Sequence, residues 1–237
     1  MLALALASAP PPSLQVETVT VASGLRHPWS LAFLPTGDFL VAEKDGGLVR
    51  VTRDGRRTPV SGLPADLDNV RQNPSDNSGM FDIVLHPDFS QNRRLYFAYT
   101  AKADGGTTTR LVTASLVNDR LEGVTTLFDA TPYTAERYHY GGGLLISRDR
   151  HIYLTVGERH FHERDNPPLP VAQDPSSRHG KVYRFTLEGK PVPGNPSFGP
   201  DGVPGLYAMG IRASQGLAQD PQSGRIWMTE HGPTSGD

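Results

Sequence analysis

Four stretches of the chain repeat one short pattern: an apolar triplet, a turn rich in Pro, Asp or Gly, and a second apolar strand. The repeats begin at Leu31, Ile83, Leu144 and Leu217. A unit that recurs in this way builds an array, and a unit made only of strands is typical of the blade of a β-propeller. The sequence therefore predicts an all-β propeller, with about three and a half blades present by comparison with complete propellers.

The composition also favours many short strands joined by tight turns. Gly and Pro account for 25 and 21 of the 237 residues and are spread along the chain, which is typical of turns between strands. The net charge is −2, and the sequence has no basic stripe. Nucleic acid and anionic membrane surfaces are therefore disfavoured as partners. The chain has no cysteine, which excludes disulfides and thiol chemistry.

The chain divides into a short N-terminal segment and one long domain. Residues 1–15 contain an apolar run, an Ala-x-Ala site and three prolines, and we interpret them as a remnant of an export signal or a disordered tail. No segment is long and apolar enough to span a membrane. Residues 16–237 are interpreted as the propeller domain, incomplete at its C-terminus. An export signal predicts a periplasmic or secreted protein.

The alternation of apolar residues predicts three strands in each complete unit and a common buried set. We expect the following residues to be mostly buried: Leu31, Phe33, Val84, Leu145, Ile152, Leu154, Leu217 and Trp227. Little or no helix is expected. Because a propeller protects its strand edges only when the ring closes, an unclosed array is expected to self-associate.

Polar clusters stand directly before the first strand of three units. They are Asp76–Gly79, Tyr138–Gly143 and Gly210–Gly216, and a fourth cluster, Glu230–Asp237, follows the last strand. Loops that precede equivalent strands lie at the same end of a propeller, and loops commonly carry function. The sequence therefore predicts that Asn77, His139 and Arg212 lie around one mouth of the central channel.

Each candidate residue has a chemical and a structural interpretation. His139 has the chemistry of a general base, because imidazole titrates near neutrality, but a histidine can also cap a strand end. Arg212 and Gln215 could hold a planar anionic ligand, or Arg212 is simply solvated. The backbone carbonyls of Gly232 and Pro233 suit a hard cation such as calcium, whereas Gly-Pro alone indicates a turn.

A separate histidine cluster, His160-Phe161-His162-Glu163, also has two interpretations. Alternate histidines on a strand share a face and could bind a metal. The segment continues into a polar, proline-containing loop and lacks a clear third and fourth ligand. We therefore interpret it as a solvated loop.

Seven motifs occur in a fixed order along the chain. They are His27–Phe33, Leu85–Phe89, His139–Leu144, Val156–Glu158, Gln173-Asp174 with Gly180-Lys181, Gly210–Ala218 and Glu230–Pro233. Together they resemble the soluble quinoprotein sugar dehydrogenases, the glucose/sorbosone or aldose sugar dehydrogenase family, from about Leu25 to Asp237. The resemblance implies a six-bladed propeller that binds pyrroloquinoline quinone (PQQ) and a calcium ion.

The resemblance also implies roles for six residues. His139 aligns with the catalytic base of the family, and Asn77 occupies a position where many members carry a ligand-facing glutamine. The other four align with cofactor-binding positions: Arg212 and Gln215 with those that hold the quinone, and Gly232 and Pro233 with carbonyl ligands of calcium.

The implied reaction is the oxidation of an aldose to its lactone, with the electrons passed to an external acceptor. In that chemistry calcium polarises a quinone carbonyl, and His139 removes the proton of the anomeric hydroxyl. A different class remains open, namely a non-catalytic propeller fragment or degenerate homologue that binds sugar or a protein partner. A calcium-dependent lactonase is a third alternative, although its site requires several convergent carboxylates.

The chain departs from the family pattern in its quinone contacts. Gly143 stands where the family usually has Arg, and Ala213 stands where it usually has Asn. The family segments that supply further cationic contacts and the closing blades have no counterpart up to Asp237. These departures predict weak quinone binding by the 237-residue chain.

Overall fold

The computed structural model describes residues 16–159 and 170–232 of the chain. The described residues form fourteen β-strands and one four-residue helix. This confirms the expectation of an all-β chain with little helix. Within these two ranges, no helix is long and apolar enough to cross a membrane.

The strands form three four-stranded antiparallel sheets and one two-stranded sheet, which follow one another in chain order. The first sheet contains β1 (Pro28–Phe33), β2 (Phe39–Glu43), β3 (Gly47–Val51) and β4 (Arg57–Val60). The second contains β5 (Met80–Leu85), β6 (Arg94–Ala103), β7 (Gly106–Val117) and β8 (Arg120–Asp129), with helix α1 (Phe89–Asn92) between β5 and β6. The third contains β9 (Gly141–Ile146), β10 (Ile152–Val156), β11 (Lys181–Phe185) and β12 (Leu206–Met209), and the fourth contains β13 (Ser214–Gln219) and β14 (Ile226–Glu230).

Hydrophobic layers join each sheet to the next. Leu40 and Leu48 of the first sheet share a cluster with Phe97 of the second. Tyr96 of the second sheet packs in a cluster with Leu154 of the third. A smaller cluster of the third sheet includes partly buried Leu217 of the fourth. The core is therefore divided into layers between successive sheets, as in a propeller-like array.

The first strand of each sheet lies at the centre of the array, because β1, β5, β9 and β13 pack against one another in sequence. The antiparallel order places the segments that precede these strands at one end of the sheets, together with the β2–β3 and β10–β11 connections. We call this end the upper face. The β1–β2, β9–β10 and β13–β14 turns lie at the opposite end, the lower face.

The predicted number of strands in each unit is wrong. Each complete unit has a fourth strand, β4, β8 or β12, which was not predicted. These are the last strands of their sheets, so they have one paired edge and a more exposed surface. The sequences of β4 and β8 accordingly lack the apolar pattern that marks the inner strands: β4 contains a proline, and most of β8 is exposed. β12 is apolar but only four residues long.

The predicted buried set is confirmed only for the inner positions of the array. Ile152 and Leu154 are fully buried, whereas Leu31, Phe33 and Trp227 are 52%, 70% and 63% exposed. Val84, Leu145 and Leu217 are half-buried. The three exposed side chains are on the first and fourth sheets, whose outward faces have no sheet packed on them in the described structure.

Candidate active site at the upper face

Three loops that precede first strands meet at the upper face. The backbone N–H of Asn77, before β5, donates to the carbonyl of Arg137, two residues before His139, at 3.0 Å. The N–H of Glu158, in the β10–β11 connection, donates to the carbonyl of Arg212 at 2.9 Å. These bonds place the loops that carry Asn77, His139 and Arg212 side by side.

His139 is fixed by a buried carboxylate. Its ring nitrogen Nδ1 is hydrogen-bonded to Oε1 of Glu158, and the two side chains are 13% and 3% exposed. With the carboxylate as acceptor, Nδ1 carries the hydrogen and Nε2 is the acceptor nitrogen of the ring. This arrangement suits a general base that acts through Nε2.

The backbone around this pair is specialised. His139 has a φ of 50°, in the left-handed region that non-glycine residues seldom adopt and that is often found at functional sites. A Cβ at Gly157 would overlap the carbonyl of His139 and lie 3.0 Å from that of Arg212. A glycine is thus required where the β10–β11 connection passes between the two loops.

Glu158 is a site residue whose role the sequence did not reveal. It belongs to one of the quoted motifs, Val156–Glu158, but the motif itself gives no reason to pair it with His139. The pairing depends on two segments 19 residues apart that meet only when β9 and β10 form a hairpin. The antiparallel pairing of Gly141 with Val156 brings them together.

A cavity of about 290 Å³ lies beside Glu158 and Arg212. Its other walls come from a short segment and one glycine: Pro170, Val171, Ala172, Gln173 and Gly210. Of the described residues that line it, Arg212 is the cation. The Glu158 carboxylate at the cavity is paired with His139, and the remaining walls are neutral. A largely apolar slot with a guanidinium at its edge suits a planar anionic ring system.

The wall of this cavity is held by a buried lysine. The Lys181 ammonium donates to the carbonyl oxygens of Val171, Ala172 and His179, at 2.7, 3.2 and 2.6 Å. Burial lowers the pKa of Lys181 to about 8. Lys181 therefore fixes the segment that faces Arg212.

The predicted calcium ligands are only partly described. The Arg212 Nη1 group donates to the carbonyls of His231 and Gly232, at 3.1 and 3.4 Å, so the Gly232 carbonyl faces a cation. Pro233 lies outside the described residues, as do the His160–Glu163 cluster and residues 1–15. Within the described ranges, no group of three or more His, Cys, Asp or Glu residues is placed to hold a metal.

The remaining candidates lie on the same inner strands or loops. Gln215 is half-buried on β13, and its backbone carbonyl lies 3.0 Å from the position that a Cβ on Gly143 would occupy. Asn77 is half-buried in a loop that the Arg137 side chain ties down through Asp68 and Asp76. The structure thus brings Asn77, His139, Arg212 and Gln215 to one end of the array.

Comparison with known proteins identifies the family of the chain. Residues 25–237 match the family described as Glucose / Sorbosone dehydrogenase. The aldose sugar dehydrogenase YliI of Escherichia coli K12 is 33% identical over 235 residues, which cover 97% of this chain and 59% of that protein. The chain therefore spans about three-fifths of this relative.

Solved structures of sugar dehydrogenases also superpose on this chain. A structure titled glucose dehydrogenase superposes with a TM-score of 0.79 at 33% identity, covering 89% of this chain and 63% of that one. The PQQ-bound aldose sugar dehydrogenase of Streptomyces coelicolor gives a TM-score of 0.74 at 31% identity, covering 90% and 59%. The match extends over nearly all of the sheets described above.

Proposed function

The chain belongs to the glucose/sorbosone dehydrogenase family, and we propose that its upper face is the sugar-oxidising site of a quinoprotein aldose dehydrogenase. The observation that carries the proposal is the His139–Glu158 pair beside the cavity edged by Arg212. A fixed base next to a slot for a planar anion is the arrangement that oxidation of a hydroxyl by a quinone requires. The PQQ in the Streptomyces relative supports the choice of quinone.

The described residues fit a quinone that carries carboxylates. Arg212 would pair with a carboxylate, and Gln215, on the neighbouring strand, would donate a hydrogen bond. The apolar wall from Pro170 to Ala172 would cover the ring face. When bound, PQQ supplies an electrophilic carbon that accepts a hydride.

In the proposed reaction, His139 accepts the proton of the sugar and Glu158 supports it. His139 accepts the proton of the anomeric hydroxyl at Nε2 while the hydride leaves the anomeric carbon, and the aldose becomes its lactone. The Glu158 carboxylate holds the ring in the tautomer with Nδ1–H and stabilises the imidazolium that results. Asn77, on the adjacent loop, would orient the sugar by hydrogen bonds from its amide. The electrons then pass to an external acceptor.

The proposed calcium ligands are the backbone carbonyls of Gly232 and Pro233. Calcium takes six to eight oxygen ligands, and the described residues contribute one candidate, the Gly232 carbonyl, which faces Arg212. The described residues therefore do not fit a calcium site. We also propose a six-bladed complete fold and a periplasmic or secreted location.

The proposal is tested by supplying the chain with PQQ and calcium and measuring dye-linked oxidation of aldoses. The informative variant is His139→Asn, because asparagine tolerates the left-handed backbone better than alanine. Loss of a general base typically lowers the rate by about a hundredfold or more. His151→Asn is the matched control, because His151 also pairs with a carboxylate, Asp149, but at the lower face.

With PQQ supplied well above its Kd, because weak quinone binding is predicted, the expected result is aldose oxidation that His151→Asn retains and His139→Asn loses. Equal rates in the two variants would remove His139 from its role. Sugar binding without any oxidation would instead favour the non-catalytic homologue, an alternative supported by the contact between Arg212 and the Gly232 carbonyl.

A further inference from the structure

A second histidine–carboxylate pair stands at the same face as His139 and Glu158. His27 directly precedes β1, and its Nδ1 lies 2.5 Å from Oδ2 of Asp45. Asp45 follows the end of β2 by two residues, as Glu158 follows the end of β10. The first and third sheets therefore carry the same pair of groups at the same place in the fold.

The backbone repeats the arrangement as well. His27 and His139 both have left-handed backbones, with φ of 46° and 50°. In both sheets the pairing of the first two strands is interrupted near its upper end, between Pro28 and Ser30 and between Leu154 and Val156. The two histidines differ by one position in register, since His27 adjoins its strand and His139 is one residue farther away. Left-handed non-glycine residues also occur elsewhere in the described chain, for example at Arg93 and Asn118, so the similarity lies in the combination of backbone, histidine and carboxylate at equivalent places.

The chemistry of His27 follows from its partner. With the Nδ1–H donated to Asp45, the ring presents Nε2 as a hydrogen-bond acceptor. The side chain of His27 is 59% exposed, against 13% for His139, so its Nε2 can reach a ligand at the surface of the mouth. An acceptor nitrogen suits a hydroxyl donor.

The distance between the sheets determines which ring of a sugar can present a hydroxyl to His27. His27 is on the first sheet and His139 on the third, with the second sheet and Asn77 between them. Packed sheets lie about 10 Å apart, so groups on alternate sheets are too far apart to hold one sugar ring. We propose that His27 and Asp45 form a second sugar-binding position, which accepts a hydroxyl of the ring next to the one being oxidised. This inference rests on the proposed function for its class of ligand.

The test is a titration of the 237-residue chain with glucose and with maltose, followed by the side-chain ¹⁵N–¹H signals of its histidines. We expect glucose to shift the signals of His139, and maltose to shift those of both His27 and His139. His27→Asn should weaken maltose binding by about three- to tenfold, the usual range for one hydrogen bond, and leave the glucose Kd within about twofold. Asp45→Asn should act in the same direction, and His151→Asn, the lower-face control, should change neither Kd.

The outcomes separate the two proposals. If maltose shifts His139 alone, or if His27→Asn binds both sugars like the unaltered chain, the second position is overturned and the proposed function stands. If maltose shifts His27 but neither sugar shifts His139, the second position holds and the proposed oxidation site fails. If no histidine signal moves with either sugar, both are overturned.

Discussion

At the scale of single residues, the proposed chemistry depends on how the imidazole of His139 is held. Glu158 is almost fully buried and contacts the ring through Nδ1, so it acts on the reaction only through the histidine. It is therefore a positioning residue. The sequence predicted the histidine, because its residue type and loop position were visible, but not the carboxylate, because the pairing requires the β9–β10 hairpin.

Replacing Glu158 by glutamine should lower aldose oxidation without abolishing sugar binding. The amide can also donate to Nδ1 and so favours the wrong tautomer, and it does not stabilise an imidazolium. We expect kcat to fall at least about tenfold while KM changes less than twofold. Asp149→Asn, which alters the equivalent partner of His151, is the control. A changed KM with an unchanged kcat would show that Glu158 does not act through His139.

His179 provides a pH-dependent prediction. The side chain is buried, and burial together with the charge of Arg159 lowers its pKa to about 3 from the usual 6.5. Between these values the unfolded chain binds more protons than the folded one, so stability decreases as the pH falls below 6.5. His179→Gln removes this contribution.

Urea unfolding at pH 7.5 and at pH 5 measures the effect. The unaltered chain should lose about 2 kcal/mol more than His179→Gln over this interval, at about 1.4 kcal/mol per pH unit below 6.5. Burial raises the pKa of Asp82 to about 6, which acts in the opposite sense, but this contribution is common to both proteins and cancels. Equal losses would contradict the buried neutral state of His179.

At the scale of strands and loops, the inner strands carry both the fold and the site. Thr155 of β10 shows how: its hydroxyl accepts from the Gly143 N–H and donates to the Ser214 carbonyl, each at 2.8 Å, and so joins the third and fourth sheets. The sequence predicted these inner strands because they are apolar. It did not predict β4 and β8, because these last strands of their sheets have less to bury, nor β12, which is only four residues long.

Gly79, directly before β5, should be intolerant of a side chain. Its φ is 122°, and an added Cβ would overlap the backbone carbonyl of Lys44. Gly105 has a similar φ of 95° with open space around it. Gly105→Ala should therefore cost about 1 kcal/mol for the backbone alone, and Gly79→Ala at least about 2 kcal/mol more because the loop must move. If the two substitutions lower the free energy of unfolding equally, the loop that carries Gly79 does not pack against the backbone of Lys44 as described.

At the scale of the whole molecule, the two outer sheets expose apolar side chains. Leu31 and Phe33 are on the first sheet, and Trp227 is on the fourth. The apolar triplets had predicted them to be buried. Periodicity identifies the side chains that need a packing partner, but it does not show whether the partner sheet is present, so this part of the core could not be predicted from local sequence.

These exposed faces predict association of the 237-residue chain with itself, since exposed apolar patches on a sheet favour intermolecular contact. Sedimentation velocity should show assembly that increases with protein concentration and that Phe33→Glu or Trp227→Glu reduces. Val70→Glu is the control, because Val70 is equally exposed, at 67%, but lies in a loop of the upper face. A monomer at all concentrations would show that these faces do not associate.

The central claim is that the upper face holds a quinone beside Arg212, and calorimetric titration with PQQ tests it most directly. Among the described residues that line the cavity, Arg212 is the single cation, so the carboxylates of PQQ have few charged partners. The chain should therefore bind PQQ weakly, with a Kd above about 1 μM. Loss of one charged hydrogen bond in Arg212→Ala should weaken binding about tenfold or more. Arg225→Ala, in the lower-face turn of the same sheet, should bind like the unaltered chain. Equal Kd values for all three proteins would contradict the claim.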